Sequence, residues 1–224
     1  MKKLFIEAKY NKKVILPKSA FSKLPKTIGV FTTVQFIDSL TDINKQLEDA
    51  GIKVKNFKPQ HAKYKGQILG CNITKFDDVD GFLFVGDGYF HPIALSIKNN
   101  LPVFTYNPFS KKLSELDKDI VKKFQLKNTI ALKKYYMSDN IGVIVSTKHG
   151  QNKLKQALEF KKKQEEKGKK NVYILMFNDI DFESLENFPF IDCFVNTACA
   201  RIGYDDEIRI HKPIINIEEI ENLN

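Results

Sequence analysis

The second half of this chain restates the first. Ile141-Gly142-Val143 followed by Val145-Ser146-Thr147 matches Ile28-Gly29-Val30 followed by Thr32-Thr33 at an offset of 113 positions. Ile191 to Val195 matches Val79 to Leu83 at 112, and Lys212-Pro213-Ile214 matches Leu101-Pro102-Val103 at 111. A near-constant offset over three separated segments means one supersecondary unit used twice.

The unit itself is legible. Ile28 to Thr32 is a short β-branched run, and Ile37, Leu40, Ile43, Leu47 and Ala50 then recur at helical spacing until Gly51 supplies the stop. Strands are expected at Ile52 to Phe57, Phe82 to Val85 and Val103 to Thr105, with a short helix over Pro92 to Lys98. A polar helix carrying Leu113, Leu116, Ile120 and Phe124 leads toward Tyr136, and Ser138-Asp139-Asn140 marks a boundary. The second half repeats the order: a helix around Leu154 and Leu158 ended by Gly168, then a strand over Val172 to Phe177. The fold class is therefore α/β, as two repeated small three-layer domains with parallel sheets. Residues 1–26 are expected to hold one strand and a linker, the remnant of something upstream. Residues 27–137 form the first domain and 138–224 the second.

In open α/β sheets ligands sit beyond the carboxyl ends of the strands. The stretch from Gly66 to Pro92 concentrates polar and thiol chemistry around one such end. Cys71 closes a Gly-Gln-Ile-Leu-Gly turn, and the strand Phe82 to Val85 runs into Gly86-Asp87-Gly88, an aromatic pair and His91-Pro92. Cys199 occupies the corresponding loop of the second repeat, and His149-Gly150-Gln151 follows its first strand. The residues alone leave these features open. Gly86-Asp87-Gly88 is too short for a phosphate loop, and His91 reads equally as a helix cap. The four histidines lack metal-ligand spacing, and cysteines without a Cys-x-x-Cys are more often small buried hydrophobes. Cys193, inside a strand pattern, belongs to the core.

Charge narrows the partners. The net charge is +9, yet only Arg201 and Arg209 are arginines. Bidentate recognition of bases and phosphates favours arginine, so the excess reads as solvated lysine surface, including the run from Lys161 to Lys170, and nucleic acid is not the expected partner. No apolar run is long enough for a membrane span, and Glu7 and Lys9 interrupt the one a signal peptide would need. Three cysteines, an odd number, argue against a disulfide framework and for a reducing, cytoplasmic setting.

Taken together, Thr32 to Gln35, GQILGC from Gly66, VDGFLFVGDGYFHPIAL from Val79, Ser146 to Gln151 and VNTACARIGYDD from Val195 resemble the diphthamide synthesis family, the 2-(3-amino-3-carboxypropyl)histidine synthases. Members have three related α/β domains, and this chain resembles the second and third. The resemblance implies a transferase with a 4Fe-4S cluster held by one cysteine from each domain and one iron open to S-adenosylmethionine. Reductive cleavage there releases a 3-amino-3-carboxypropyl radical that attacks a histidine of translation elongation factor 2, the first step of diphthamide biosynthesis. Cys71 and Cys199 match two of the metal ligands. Gln35, Gly86, Asp87, Gly88, His91, Gln151, Arg201 and Asp205 fall where the cofactor and the sulfonium substrate would lie, while no catalytic residue is singled out. Ala200 departs from the family, which has proline after the last cysteine.

With two of three thiolates present, the implied partner is a family paralogue or a separately encoded N-terminal domain, and a dimer is compatible with this. The alternative is a divergent, non-catalytic relative serving as an accessory subunit or a ligand- or protein-binding module without a cluster.

Overall fold

In the computed structural model, residues 4, 6–70, 73–168, 170–204 and 212–221 are described. The chain divides into two compact units, Met1–Val121 and Lys122–Asn224.

In the first unit, a short helix α1 (Lys18–Phe21) precedes β1 (Thr27–Thr32), a 3₁₀ turn (Val34–Ser39) and α2 (Leu40–Asp49). Then come β2 (Lys53–Lys55), β3 (Gly81–Val85), α3 (Phe90–Asn99), β4 (Val103–Asn107) and β5 (Lys112–Glu115). The sheet order is β2-β1-β3-β4-β5, parallel except for β5. Strand β3 is apolar on both faces and wholly buried, as a central parallel strand must be. Alternate residues feed two layers. Ile28, Val30, Leu83 and Val85 join Ile43 and Leu47 of α2 in one core. Phe31 and Phe82 meet Phe57 and Phe76 in an aromatic cluster on the other face.

The long helix α4 (Lys118–Met137) begins in the first unit and continues into the second. There follow β6 (Asn140–Ser146), α5 (Leu154–Glu166), β7 (Asn171–Phe177), β8 (Cys193–Asn196), α6 (Arg201–Tyr204), β9 (Ile214–Asn216) and α7 (Ile217–Glu221). The order β7-β6-β8-β9, all parallel, reproduces β2-β1-β3-β4.

The repeat extends to single contacts. A Cβ on Gly29 would fall 2.8 Å from the Phe82 ring, and one on Gly142 would fall 2.8 Å from Phe194. Asp80 accepts a hydrogen bond from the Thr27 amide at 3.0 Å, and Asp192 accepts one from the Asn140 amide at 2.8 Å. Phe82 N–H donates to Pro102 O and Phe194 N–H to Pro213 O. Each Gly lets a phenylalanine of the third strand lie flat on the first, and each Asp pins the start of the first strand.

Three expectations are corrected. Leu113 lies in β5, not in the helix, which starts only at Lys118. The strand expected in residues 1–26 has no counterpart among the described residues: the segment is unpaired with the sheet, and Val14 and Leu16 pack into the core. The lysine run does not end in solvent, since Lys170 Nζ donates to the carbonyls of Tyr135, Tyr136 and Ser138 at 2.7, 3.2 and 2.5 Å, capping the end of α4. Burial there lowers the Lys170 pKa.

The N-terminal segment is tied down by charge. Glu7 accepts from Lys63 Nζ at 2.8 Å and Tyr64 OH at 3.0 Å, and these bonds hold its pKa below the ordinary 4.5. A depressed carboxyl stabilises above its unfolded pKa and loses that contribution as pH falls through the folded value. Acidification is therefore expected to release residues 7–10, read as faster amide exchange at Tyr10, whose N–H donates to Gln35 O at 2.7 Å. Unchanged protection at a pH below the depressed Glu7 value, with the first unit still folded, would show that apolar packing alone holds the segment.

Candidate functional site

With strand order 2-1-3-4, the connections leaving the carboxyl ends of β1 and β3 run to opposite sides of the sheet, and such a switch point is where open α/β sheets take ligands. The quoted motifs collect there. Thr32 is fully buried, and its hydroxyl donates to Val85 O at 2.6 Å, tying the ends of β1 and β3 together. Thr32 N–H donates to Gly66 O and Ile68 N–H to Thr32 O, so residues 66–68 run beside the end of β1 as a short parallel extension. The Gln67 side-chain oxygen accepts from the amides of Lys63 and Tyr64 at 2.9 and 3.1 Å, closing the preceding turn.

Two glycines make this path possible. Gly66 has φ +74°, and a Cβ there would fall 2.2 Å from Leu40 Cδ2. A Cβ on Gly70 would fall 2.3 Å from the ring of Phe90 at the start of α3. The loop is thus packed against the helix that follows Gly86-Asp87-Gly88, and it is delivered to the sheet edge one residue before Cys71. Cys71 itself lies outside the described residues.

After β3, Gly86 N–H donates to Tyr106 O at 3.0 Å. Asp87 Oδ1 accepts from the Gly88 amide and from Asn107 Nδ2, both at 2.9 Å. Asn107, at the end of β4, therefore holds the loop after β3. His91 stacks on Phe84 with ring centroids 5.4 Å apart. Gly86, Asp87, Gly88, Tyr89 and Asn107 border a cavity of about 160 Å³, below the size of a drug-sized ligand site. Gln35 is exposed on the 3₁₀ turn after β1.

In the second unit the equivalent switch point lies between the ends of β6 and β8. Ser146 Oγ accepts from the Lys148 amide at 3.1 Å, Lys148 pairs with Asp179, and Gln151 is half-buried in the turn that follows. After β8, Cys199 is a free, half-buried cysteine packed at the margin of the core around Ile144 and Ile202. Arg201 begins α6 with its side chain exposed, and Asp205 lies outside the described residues. Cys193 differs sharply: it is fully buried in β8, and burial pushes its thiol up to about 12. A thiol so desolvated is a poor ligand and nucleophile.

What holds the Cys199 loop went unread in the sequence. Asn196 and Asn216, at the ends of β8 and β9, are 1% and 3% exposed. Asn196 Nδ2 donates to Cys199 O at 2.8 Å and to Asn216 Oδ1 at 2.6 Å, while its Oδ1 accepts from the Ala198 amide at 3.0 Å. Asn216 Nδ2 donates to Ala200 O at 3.0 Å. The available signal was an asparagine closing each of two apolar strands.

Each unit thus brings its own motifs to one sheet edge. Among the described residues, no group of three or more His, Cys, Asp or Glu side chains assembles into a metal site. No described helix is long and apolar enough to cross a membrane.

Residues 2–223 match the family model for diphthamide synthesis proteins. A 2-(3-amino-3-carboxypropyl)histidine synthase of Pyrococcus horikoshii is 34% identical over 204 residues, which cover 90% of this chain and 58% of the relative. Subunit 1 of the Caenorhabditis elegans enzyme is 33% identical over 85% of this chain and 48% of its own length. The Methanocaldococcus jannaschii synthase is 32% identical over 88% of this chain and 51% of its own. The chain spans about half the length of the curated relatives it matches. Among solved structures, Dph2 from Pyrococcus horikoshii with a 4Fe-4S cluster superposes with a TM-score of 0.79 at 30% identity, covering 92% of this chain and 59% of that one.

Proposed function

This chain belongs to the diphthamide synthesis protein family, and from that premise we propose that it forms part of a 2-(3-amino-3-carboxypropyl)histidine synthase. Its reaction would move the 3-amino-3-carboxypropyl group of S-adenosylmethionine to a histidine of translation elongation factor 2. The observation that carries the reading is the contrast between the two described cysteines. Cys199, in the family motif, is a half-buried free cysteine at the margin of the apolar core, on a loop fixed from below, and Cys193, outside any motif, is sealed in a strand.

A 4Fe-4S cluster needs thiolates that reach the surface of a rigid edge, and Cys199 suits that role. Cys71 would be the second ligand, at the end of the GQILGC loop. When bound, such a cluster supplies the electron that cleaves the sulfonium. The residues of the chain would do the rest: in the first unit Gly86 and Gly88 leave backbone uncovered beside Asp87, which Asn107 holds in place, and in the second Arg201 follows the Cys199 loop. Gln35, His91, Gln151 and Asp205 would line the surroundings and limit water. The third thiolate comes from outside residues 1–224, from a further domain or a partner subunit.

Counting donors makes this testable. With two thiolates, iron is expected to be lost readily to chelators, and a protein carrying the family's first domain should restore retention. Iron and sulfide per chain, with and without that partner, are measured first, then transfer of labelled aminocarboxypropyl to elongation factor 2. Neither cluster nor transfer under any pairing would favour an accessory, cluster-free role.

A further inference from the structure

We propose that Asn196 and Asn216 act as positioning residues for Cys199, a buried carboxamide pair that sets the backbone on which this thiol is presented. The inference rests on the reading of Cys199 as a cluster ligand and adds to it residues that touch neither substrate nor metal.

The two side chains lie side by side on paired parallel strands, in register at Asn196 and Asn216. Between them they satisfy three consecutive positions of the loop: the Ala198 amide, the Cys199 carbonyl and the Ala200 carbonyl. Buried backbone groups outside a ladder must find partners, and here both partners come from inside the sheet. The direct amide-to-amide bond of 2.6 Å fixes which end of each side chain faces the loop. Reversing Asn216 would turn its oxygen toward the Ala200 oxygen, so the pair has one satisfied arrangement. Gly203 in α6 packs against Asn216, and a Cβ there would fall 2.7 Å from its Oδ1. Helix, loop and strand ends thus converge on two amides directly beneath Cys199. The first unit reaches a similar end with Asn107, which comes from the fourth strand of its sheet to hold the loop after the third.

Two variants open the pair from different sides. Asn196→Asp keeps the acceptor for Ala198 but removes both donors and sets oxygen against Asn216 Oδ1. Gly203→Ala leaves every hydrogen-bonding group in place and displaces Asn216 sterically, although alanine is the better helix former. In the cluster-free native chain, iodoacetamide modification of Cys199, followed by mass spectrometry, is expected to quicken about threefold to tenfold in both, the shift that losing one net hydrogen bond produces. Cys193 stays unmodified and reports that the unit is folded. In chain loaded with iron and sulfide beside the partner, both variants should alter the electron paramagnetic resonance signal of the reduced cluster at unchanged iron per chain.

Unchanged alkylation and an unchanged signal in folded Gly203→Ala overturn the proposal, and this variant decides if Asn196→Asp fails to fold. Should Cys199→Ser retain its cluster, the cluster reading falls while the alkylation rates still decide whether the pair positions the thiol.

Discussion

Cys199→Ser is expected to abolish iron retention by the chain paired with its third-thiolate partner, a loss larger than the roughly 10- to 100-fold that outer-shell substitutions cost. A hydroxyl has too high a pKa to serve as the soft anionic donor an iron-sulfur cluster needs. Cys71→Ser is expected to do the same. The control is internal. Cys193 points into the second core among Val143, Val195 and Ile215. Cys193→Ala should cost stability of about 1 kcal/mol, the order of a small buried truncation, and leave iron per chain unchanged. Iron retained in Cys199→Ser at the parental level would remove Cys199 from the ligand set and with it the proposed chemistry.

The largest effect on folding is expected at Gly66. An alanine there suffers twice: its φ of +74° is left-handed, costing about 1–2 kcal/mol, and its Cβ would overlap Leu40, which lies in the main core of the first unit. Overpacking adds about 1–3 kcal/mol, so Gly66→Ala should lose about 2–5 kcal/mol in denaturant unfolding of the first unit. Gly51 separates the contributions, because its φ is +79° and nothing lies within 4 Å of the added carbon. Gly51→Ala should lose only the backbone part, about 1–2 kcal/mol. Equal losses at the two positions would mean that Leu40 yields and that the GQILGC loop is not held against the core as described.

Much of the architecture was legible because it is written in buried parallel strands. GFLFV and NIGVIVS are apolar on both faces, so they announce themselves without periodicity. The β4–β5 hairpin was not. Leu113, Leu116, Ile120 and Phe124 recur at helical spacing, while the competing strand is only four residues long and its alternation, Lys-Leu-Ser-Glu, offers a single apolar side chain. The turn was signalled instead by Asn107, whose side chain accepts from the amides of Phe109 and Ser110. The candidate positions Gly86 and Cys199 were readable as loop residues after β3 and β8 because a motif names them. The pairing of Asn196 with Asn216 was not, because strand pairing alone brings the two side chains together across 20 residues, although Asn196 also bonds locally to Ala198 and Cys199.

The matched contacts Gly29 with Phe82 and Gly142 with Phe194 give the chain a built-in replicate. The same methyl group, introduced by Gly29→Ala or by Gly142→Ala, meets an aromatic ring 2.8 Å away in either unit, so the perturbation is held constant while its surroundings change. Calorimetry of the two variants then measures what no single substitution can: movement of one transition alone reports two independent foldons, and movement of both reports the free energy that couples them.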